Sequence, residues 1–178
     1  LDTLAIRTGH TRSFEGEHGE PIFLTSSFVY ENAAEAAAKF SGQEPGNIYS
    51  RFTNPTVSMF EKRLAALEGA ERAVATSSGM AAIMAVAMSF LKAGDHVICS
   101  RAVFGSTVSL FEKYVAKFSV AVDFVDLTDL SAWKNAVKPT TKLLFVESPS
   151  NPLAEVADIQ ALADIAHANN ALLAIDNS

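Results

Sequence analysis

Three short segments carry residue types whose spacing suits the binding of a charged small molecule. Thr76-Ser77-Ser78-Gly79-Met80-Ala81-Ala82 reads as the end of a strand, a small polar turn and the start of an apolar helix. Unpaired backbone N–H groups and the positive end of the helix dipole suit a phosphate there, and Gly79 lets the backbone approach it closely. The same serines also suit a plain helix cap. Glu147-Ser148-Pro149-Ser150-Asn151-Pro152 follows an apolar run directly, and its prolines hold the path of a loop on which Asn151 offers one donor and one acceptor. Taken alone it is equally a turn. Asp176 ends the run Ala171-Leu172-Leu173-Ala174-Ile175, where a carboxylate serves as a ligand group at a strand end or as an ordinary strand cap.

The elements that would position these segments alternate along the chain. Strands are expected at 72–76, 96–100, 120–126, 142–147 and 171–176, and helices at 79–91, 104–118, 129–137 and 158–169. The strands are continuous apolar runs, which predicts an α/β fold with a mostly parallel sheet flanked by helices on both faces. Ligands of such sheets sit beyond the carboxyl ends of the strands, where all three segments fall. A phosphate held by the first segment, a polar contact from the second and a carboxylate from the third together suit pyridoxal 5'-phosphate (PLP). That ring acts as an electron sink while its pyridine nitrogen stays protonated, and a paired aspartate favours the proton.

Upstream, the first thirty residues show no sustained period and are expected to form an extended arm, followed by a short helix over 33–40 and an ordered loop over 43–53. A further helix starts at Asn54-Pro55, places Val57, Phe60, Leu64 and Leu67 on one face, and stops at Gly69. Residues 1–50 are thus expected to be an arm and short helix making subunit contacts, and residues 51–178 the first part of a cofactor-binding domain.

Composition narrows the function classes. The chain of 178 residues is 49% hydrophobic and 19% charged, as folded domains are, and its net charge of −6 offers no basic stripe for nucleic acid or anionic lipid. No apolar run suits a membrane span, and the start lacks the pattern of a signal peptide, so a cytoplasmic protein is expected. The single cysteine, Cys99, lies in an apolar run and is expected to be a buried packing residue. Glu15, Glu17, His18 and Glu20 lack the helical pairing of zinc enzymes and are expected to form a solvated turn, with no metal. Neither a Gly-x-Ser-x-Gly elbow nor a Gly-x-Gly-x-x-Gly turn occurs.

The chain resembles the cystathionine γ-synthase family of PLP enzymes. The resemblance is carried by Ile48-Tyr49-Ser50-Arg51 with Asn54-Pro55-Thr56, by Ser77-Ser78-Gly79-Met80-Ala81-Ala82, by Glu147-Ser148-Pro149-Ser150-Asn151-Pro152 and by Asp176-Asn177-Ser178. It implies the large domain of the type I PLP-dependent transferase fold. Ser78, Gly79 and Met80 would bind the cofactor phosphate, Gly79 and Met80 through their amides. Phe104 would stack on the ring, Asn151 would contact the cofactor hydroxyl or the substrate carboxylate, and Asp176, followed by Ser178, would pair with the pyridine nitrogen. Tyr49 and Arg51 would reach the phosphate of a neighbouring subunit in a homotetramer built of dimers that share sites.

Many family members carry tyrosine where this chain has Phe104, which stacks but carries no proton. With Arg7-Thr8-Gly9-His10-Thr11-Arg12 and the stretch 14–27, that departure is most similar to the O-succinylhomoserine sulfhydrylase branch, which exchanges succinate for sulfide in methionine biosynthesis. Cystathionine γ-synthase, O-acetylhomoserine sulfhydrylase and γ-lyase activities are the alternatives within the family. The Schiff-base lysine implied by the resemblance lies in a Ser-x-x-Lys segment beyond the Asp-Asn pair, and none of the eight lysines, Lys39 to Lys142, matches it. The chain is therefore expected to be the N-terminal part of the enzyme and not to turn over alone. A non-catalytic binding or assembly module is the expectation of a different class.

Overall fold

The computed structural model describes residues 1–178 and divides into two compact units, 1–75 and 76–178. Within the first unit, the helix that begins at Asn54 packs with the arm. In the first unit, α1 (Asp2–Arg7), α2 (Ala33–Phe40) and α3 (Pro55–Glu68) are joined by long loops. The sequence leads to the expectation of an extended arm, but the arm begins with a helical turn, α1. The six-residue α1 is too short to show a period, yet Asp2 and Arg7 sit at the ends of its dipole that suit their charges. The arm is tied to α3 by the Arg63 Nε–H, which donates to the Thr8 carbonyl at 3.1 Å. Gly9 makes this approach possible: its φ is +84°, and a β-carbon there would lie 2.7 Å from the Met59 carbonyl oxygen.

The caps of α2 and α3 follow the sequence. The Asn32 side chain accepts from the Glu35 N–H at 2.9 Å and the Asn54 side chain from the Thr56 N–H at 2.9 Å. Pro55 occupies the first turn of α3, and Gly69 closes that helix in the left-handed region at φ 64°.

In the second unit, α4 (Gly79–Phe90) leads into β1 (His96–Ser100). A helix broken into three turn types follows: α5 (Gly105–Ser109), a π turn (Leu110–Tyr114) and a 3-10 turn (Val115–Phe118). Next come β2 (Ala121–Val125), α6 (Leu130–Ala136), β3 (Thr141–Glu147), α7 (Ile159–Ala168) and β4 (Leu172–Asp176). All strand pairs are parallel, in the order β2-β1-β3-β4. The expected strand at 72–76 does not form. Its Val74 is 81% exposed, and the Ala75 N–H donates to a Glu61 carboxylate oxygen at 2.8 Å rather than to a neighbouring strand.

Strand alternation sorts the core into two layers. Val97, Cys99, Leu143 and Phe145 pack with Ile83, Ala87, Phe111 and Val115 on one face of the sheet. Ile98, Leu144 and Val146 pack with Trp133, Leu162, Ile165 and Ala166 on the other. Runs buried on both faces are the reason the strands read as continuously apolar. Cys99 is buried and unbridged, and burial pushes its thiol pKa up.

At the amino end of β1, His96 is buried, with Nδ1 2.8 Å from Thr141 Oγ1. That hydroxyl also accepts the Lys138 N–H at 2.8 Å, tying the start of β3 to the turn before it. Nε2 faces Asp123 Oδ2 at 3.2 Å without hydrogen-bond alignment, while Lys138 Nζ pairs with the same oxygen at 2.5 Å. Burial, and then the Lys138 charge, hold the His96 pKa below its ordinary value; the Lys138 hydrogen bond does the same for Asp123. No helix is long and apolar enough to cross a membrane.

Candidate functional site

The connection after β1 leads to α5 on one face of the sheet, and the connection after β3 leads to α7 on the other. Between strands whose connections part in this way a crevice opens beyond the carboxyl ends. There a cavity of about 380 Å³ is lined by Gly79, Met80, Ile83, Phe104, Ser106, Thr107, Glu147, Asn151, Asp176 and Ser178. Six residues singled out from the sequence thus meet in one place: Gly79, Met80, Phe104, Asn151, Asp176 and Ser178.

Helix α4 brings its first turn to this cavity. Ser78 Oγ accepts the Ala81 N–H at 3.1 Å and the Ser78 carbonyl accepts the Ala82 N–H at 3.0 Å, so Ser78 serves as the cap and its hydroxyl is engaged within the turn. The N–H groups of Gly79 and Met80 have no protein acceptor. A β-carbon built on Gly79 meets no atom within 4 Å, so packing does not demand a glycine here; what its absence of a side chain leaves is open approach to two free amides. Met80 turns its sulfur toward the hydroxyls of Ser106, at 3.2 Å, and Thr107, at 4.0 Å.

The strands supply carboxylates. Asp176 closes β4, and its Oδ1 accepts both the Ser178 N–H at 3.2 Å and the Ser178 hydroxyl at 2.5 Å, leaving Oδ2 without a protein partner. Glu147 closes β3 in register with Asp176. Its carboxylate is buried, with Oε2 accepting the Phe104 N–H at 2.7 Å and Oε1 the Asn151 N–H at 2.9 Å. The β3 and β4 ends are tied together by the Ser148 N–H, donating to the Asp176 carbonyl at 3.0 Å, and by Asn177 Nδ2, donating to the Ser148 carbonyl at 2.6 Å. Phe104, 54% exposed, also lines the cavity.

No Lys, Arg or His lines the cavity. Free amides and a positive helix end from α4, with carboxylates from β3 and β4, make a site of both signs, matched to a ligand with an anionic phosphate and a cationic ring. PLP has that charge pattern, and the residues present fit it.

Tyr49 and Arg51 belong to the first unit, on a loop held to the arm by the Ser27–Tyr49 bridge and by the Ser50 N–H, which donates to the Ser26 carbonyl at 2.9 Å. The Arg51 guanidinium lies 5.0 Å from the centroids of both the Tyr49 and Phe52 rings and pairs with no carboxylate. In the acidic stretch, Glu17 accepts from the Ser13 hydroxyl at 2.6 Å and from its N–H at 2.7 Å, contacts that lower its pKa to about 2. Glu20 pairs with Arg63. Sequence reasoning passed over Glu147, Ser106 and Thr107 as lining residues. Glu147 did carry a signal, since it ends a buried apolar strand just as Asp176 does.

Residues 2–178 match the family model described as Cys/Met metabolism PLP-dependent enzyme. The chain is 65% identical over 177 residues to an O-succinylhomoserine sulfhydrylase of Pseudomonas aeruginosa, covering 99% of this chain and 44% of that protein. It is 40% identical over 179 residues to an L-methionine gamma-lyase of Fusobacterium nucleatum, covering 100% of this chain and 45% of that one. Among solved structures, one from Campylobacter jejuni described as an O-acetylhomoserine (thiol)-lyase superposes with a TM-score of 0.94 at 33% identity, over 99% of this chain and 44% of its own. That structure carries N'-pyridoxyl-lysine-5'-monophosphate. The chain spans less than half the length of these relatives.

Proposed function

The chain belongs to the Cys/Met metabolism PLP-dependent enzyme family, and from that premise we propose that the full-length protein exchanges the succinyl group of O-succinylhomoserine for sulfide. The Cγ–O bond breaks, a Cγ–S bond forms, and homocysteine and succinate leave with no net oxidation. The observation that carries this reading is the convergence of the free Gly79 and Met80 amides, Phe104, Asn151 and Asp176 on one cavity. The 65% identity to a sulfhydrylase favours this branch over the lyases, which match less closely at 40%.

When bound, PLP supplies an electron sink conjugated to the substrate Cα. The amides of Gly79 and Met80 hold the phosphate, aided by the α4 dipole. Asp176, with Oδ1 fixed by Ser178 and Oδ2 open, keeps a proton on the pyridine nitrogen. Asn151 orients the cofactor hydroxyl or the substrate carboxylate. Phe104 covers the ring and shields it from water; it has no hydroxyl, so proton transfer near Cα and Cγ falls to another group.

Tyr49 and Arg51 serve the phosphate of a neighbouring subunit. Arg51 has no carboxylate partner of its own, and exposed Phe14, Leu24 and Val29 on the arm give the first unit an apolar surface for subunit contact, in a homotetramer built of dimers. The free, buried Cys99 is compatible with a reducing compartment, and we place the enzyme in the cytoplasm. Turnover assays on the full-length protein with O-succinyl- or O-acetylhomoserine, each with sulfide or cysteine, test the reaction. Sulfide with the succinyl ester should be fastest, and a clear preference for cysteine or for the acetyl ester overturns the assignment. Co-expressing Arg51→Ala with Asp176→Asn should restore partial activity if sites are shared between subunits.

A further inference from the structure

Glu147 is a buried carboxylate, 5% exposed, whose two oxygens are each taken by a backbone amide of a different loop. One amide is that of Phe104, the residue that caps α5 after β1; the other is that of Asn151, in the loop after β3. No other hydrogen bond joins these two loops. The side chain stands on the last residue of a strand whose neighbours on both sides are paired, so it is held by a rigid element. It faces the cavity that Phe104 and Asn151 also line.

We propose that Glu147 is a positioning residue that sets the slot for the cofactor ring by fixing Phe104 against Asn151. This rests on the reading of the cavity as a PLP site. A carboxylate is the one side chain of this length that accepts on both oxygens at once. Glutamine keeps the shape but presents an NH2 group to one of the two amides, so one loop is released whichever way the amide is turned. Aspartate keeps the charge but is one methylene shorter and cannot span both donors. The two variants therefore separate the bracket from its charge. If the charge alone mattered, the aspartate variant would behave as wild type.

The test uses the full-length protein, stripped of cofactor and titrated with PLP. Visible circular dichroism of the bound cofactor and thermal unfolding of the apoprotein are followed alongside. A hydrogen bond to a charged acceptor is worth about ten- to a hundredfold, and the share of that loss felt by the seated ring is expected to be about tenfold in PLP affinity. E147Q and E147D should each weaken PLP binding about tenfold and reduce the circular dichroism band. The effect of E147Q should shrink in a Phe104→Ala background, because the bracket then has no ring to place. If E147Q does not fold, E147D carries the same readouts.

Unchanged PLP affinity and circular dichroism in either variant well below its melting temperature, with only the melting temperature lowered, would mean a merely structural role and overturn the proposal. So would full additivity with Phe104→Ala, or a wild-type response of E147D. Failure of the wild-type protein to bind PLP at all would instead refute the proposed function, which keeps the two outcomes apart.

Discussion

Replacing Gly79 with alanine should separate the fold from the site. Gly79 is the first residue of α4, and its φ lies outside the left-handed region. An added β-carbon meets no atom within 4 Å, so neither strain nor overlap opposes it. Alanine also lowers the backbone entropy of the unfolded chain and favours helix, so stability should rise by between zero and about 1 kcal/mol. Gly79 lines the cavity, so the same methyl group should narrow the approach to the free amides of Gly79 and Met80. Charge-assisted hydrogen bonds to a phosphate contribute about 1.5–3 kcal/mol each, so obstructing one should weaken PLP binding by about ten- to a hundredfold. Urea unfolding of the full-length apoprotein measures the first quantity, and titration of its absorbance with PLP the second. Unchanged affinity would show that the phosphate does not approach Gly79, and a loss of more than about 1 kcal/mol in stability would show that packing needs the glycine after all.

Further perturbations probe the frame around the site. Ser78→Ala removes the cap on the Ala81 N–H and should cost about 1 kcal/mol in urea unfolding, an effect that a Ser78→Asp change should largely restore. Trp133 is fully buried and its indole N–H donates to the Asp126 carbonyl at 2.9 Å, so Trp133→Ala should destabilise by about 3–5 kcal/mol. A loss below about 1 kcal/mol would mean that this face of the sheet does not pack as described. Burial holds the His96 pKa below its ordinary value in the folded protein, whereas the unfolded chain takes up its proton near 6.5. Its contribution to stability is therefore full above pH 6.5 and is lost as pH falls through the depressed folded value, with a second loss from Asp123 below 3.8. Unfolding free energies measured from pH 8 downward should show the first decline, and His96→Asn should flatten it.

Much of the fold was legible because its signals are local. Asn54 and Asp158 cap helices, Gly69 stops one, and 96–100 forms a strand, each as a few adjacent residues dictate. The apolar strand runs likewise implied a parallel sheet covered on both faces, because a strand buried on both sides has no position left for polar residues. The chemical types at Gly79, Asn151 and Asp176 were legible for the same reason: each sits at a turn or strand end with its own local pattern.

What only the tertiary structure decided is non-local. The expected strand at 72–76 does not form, because a strand exists only with a partner, and partner choice depends on residues far along the chain. The helix after Phe104 passes from α to π to 3-10 turns while seating Phe111 and Val115 in the core; side-chain period alone does not show that change of winding. The pairing of Glu147 with the amides of Phe104 and Asn151 depends on the order β2-β1-β3-β4, which sets the ends of β1 and β3 side by side. Capping, turn chemistry and burial period act within one or two turns of chain, so sequence reveals them. The site itself is made by strands brought together across the sheet, and that geometry exists only once the chain has folded.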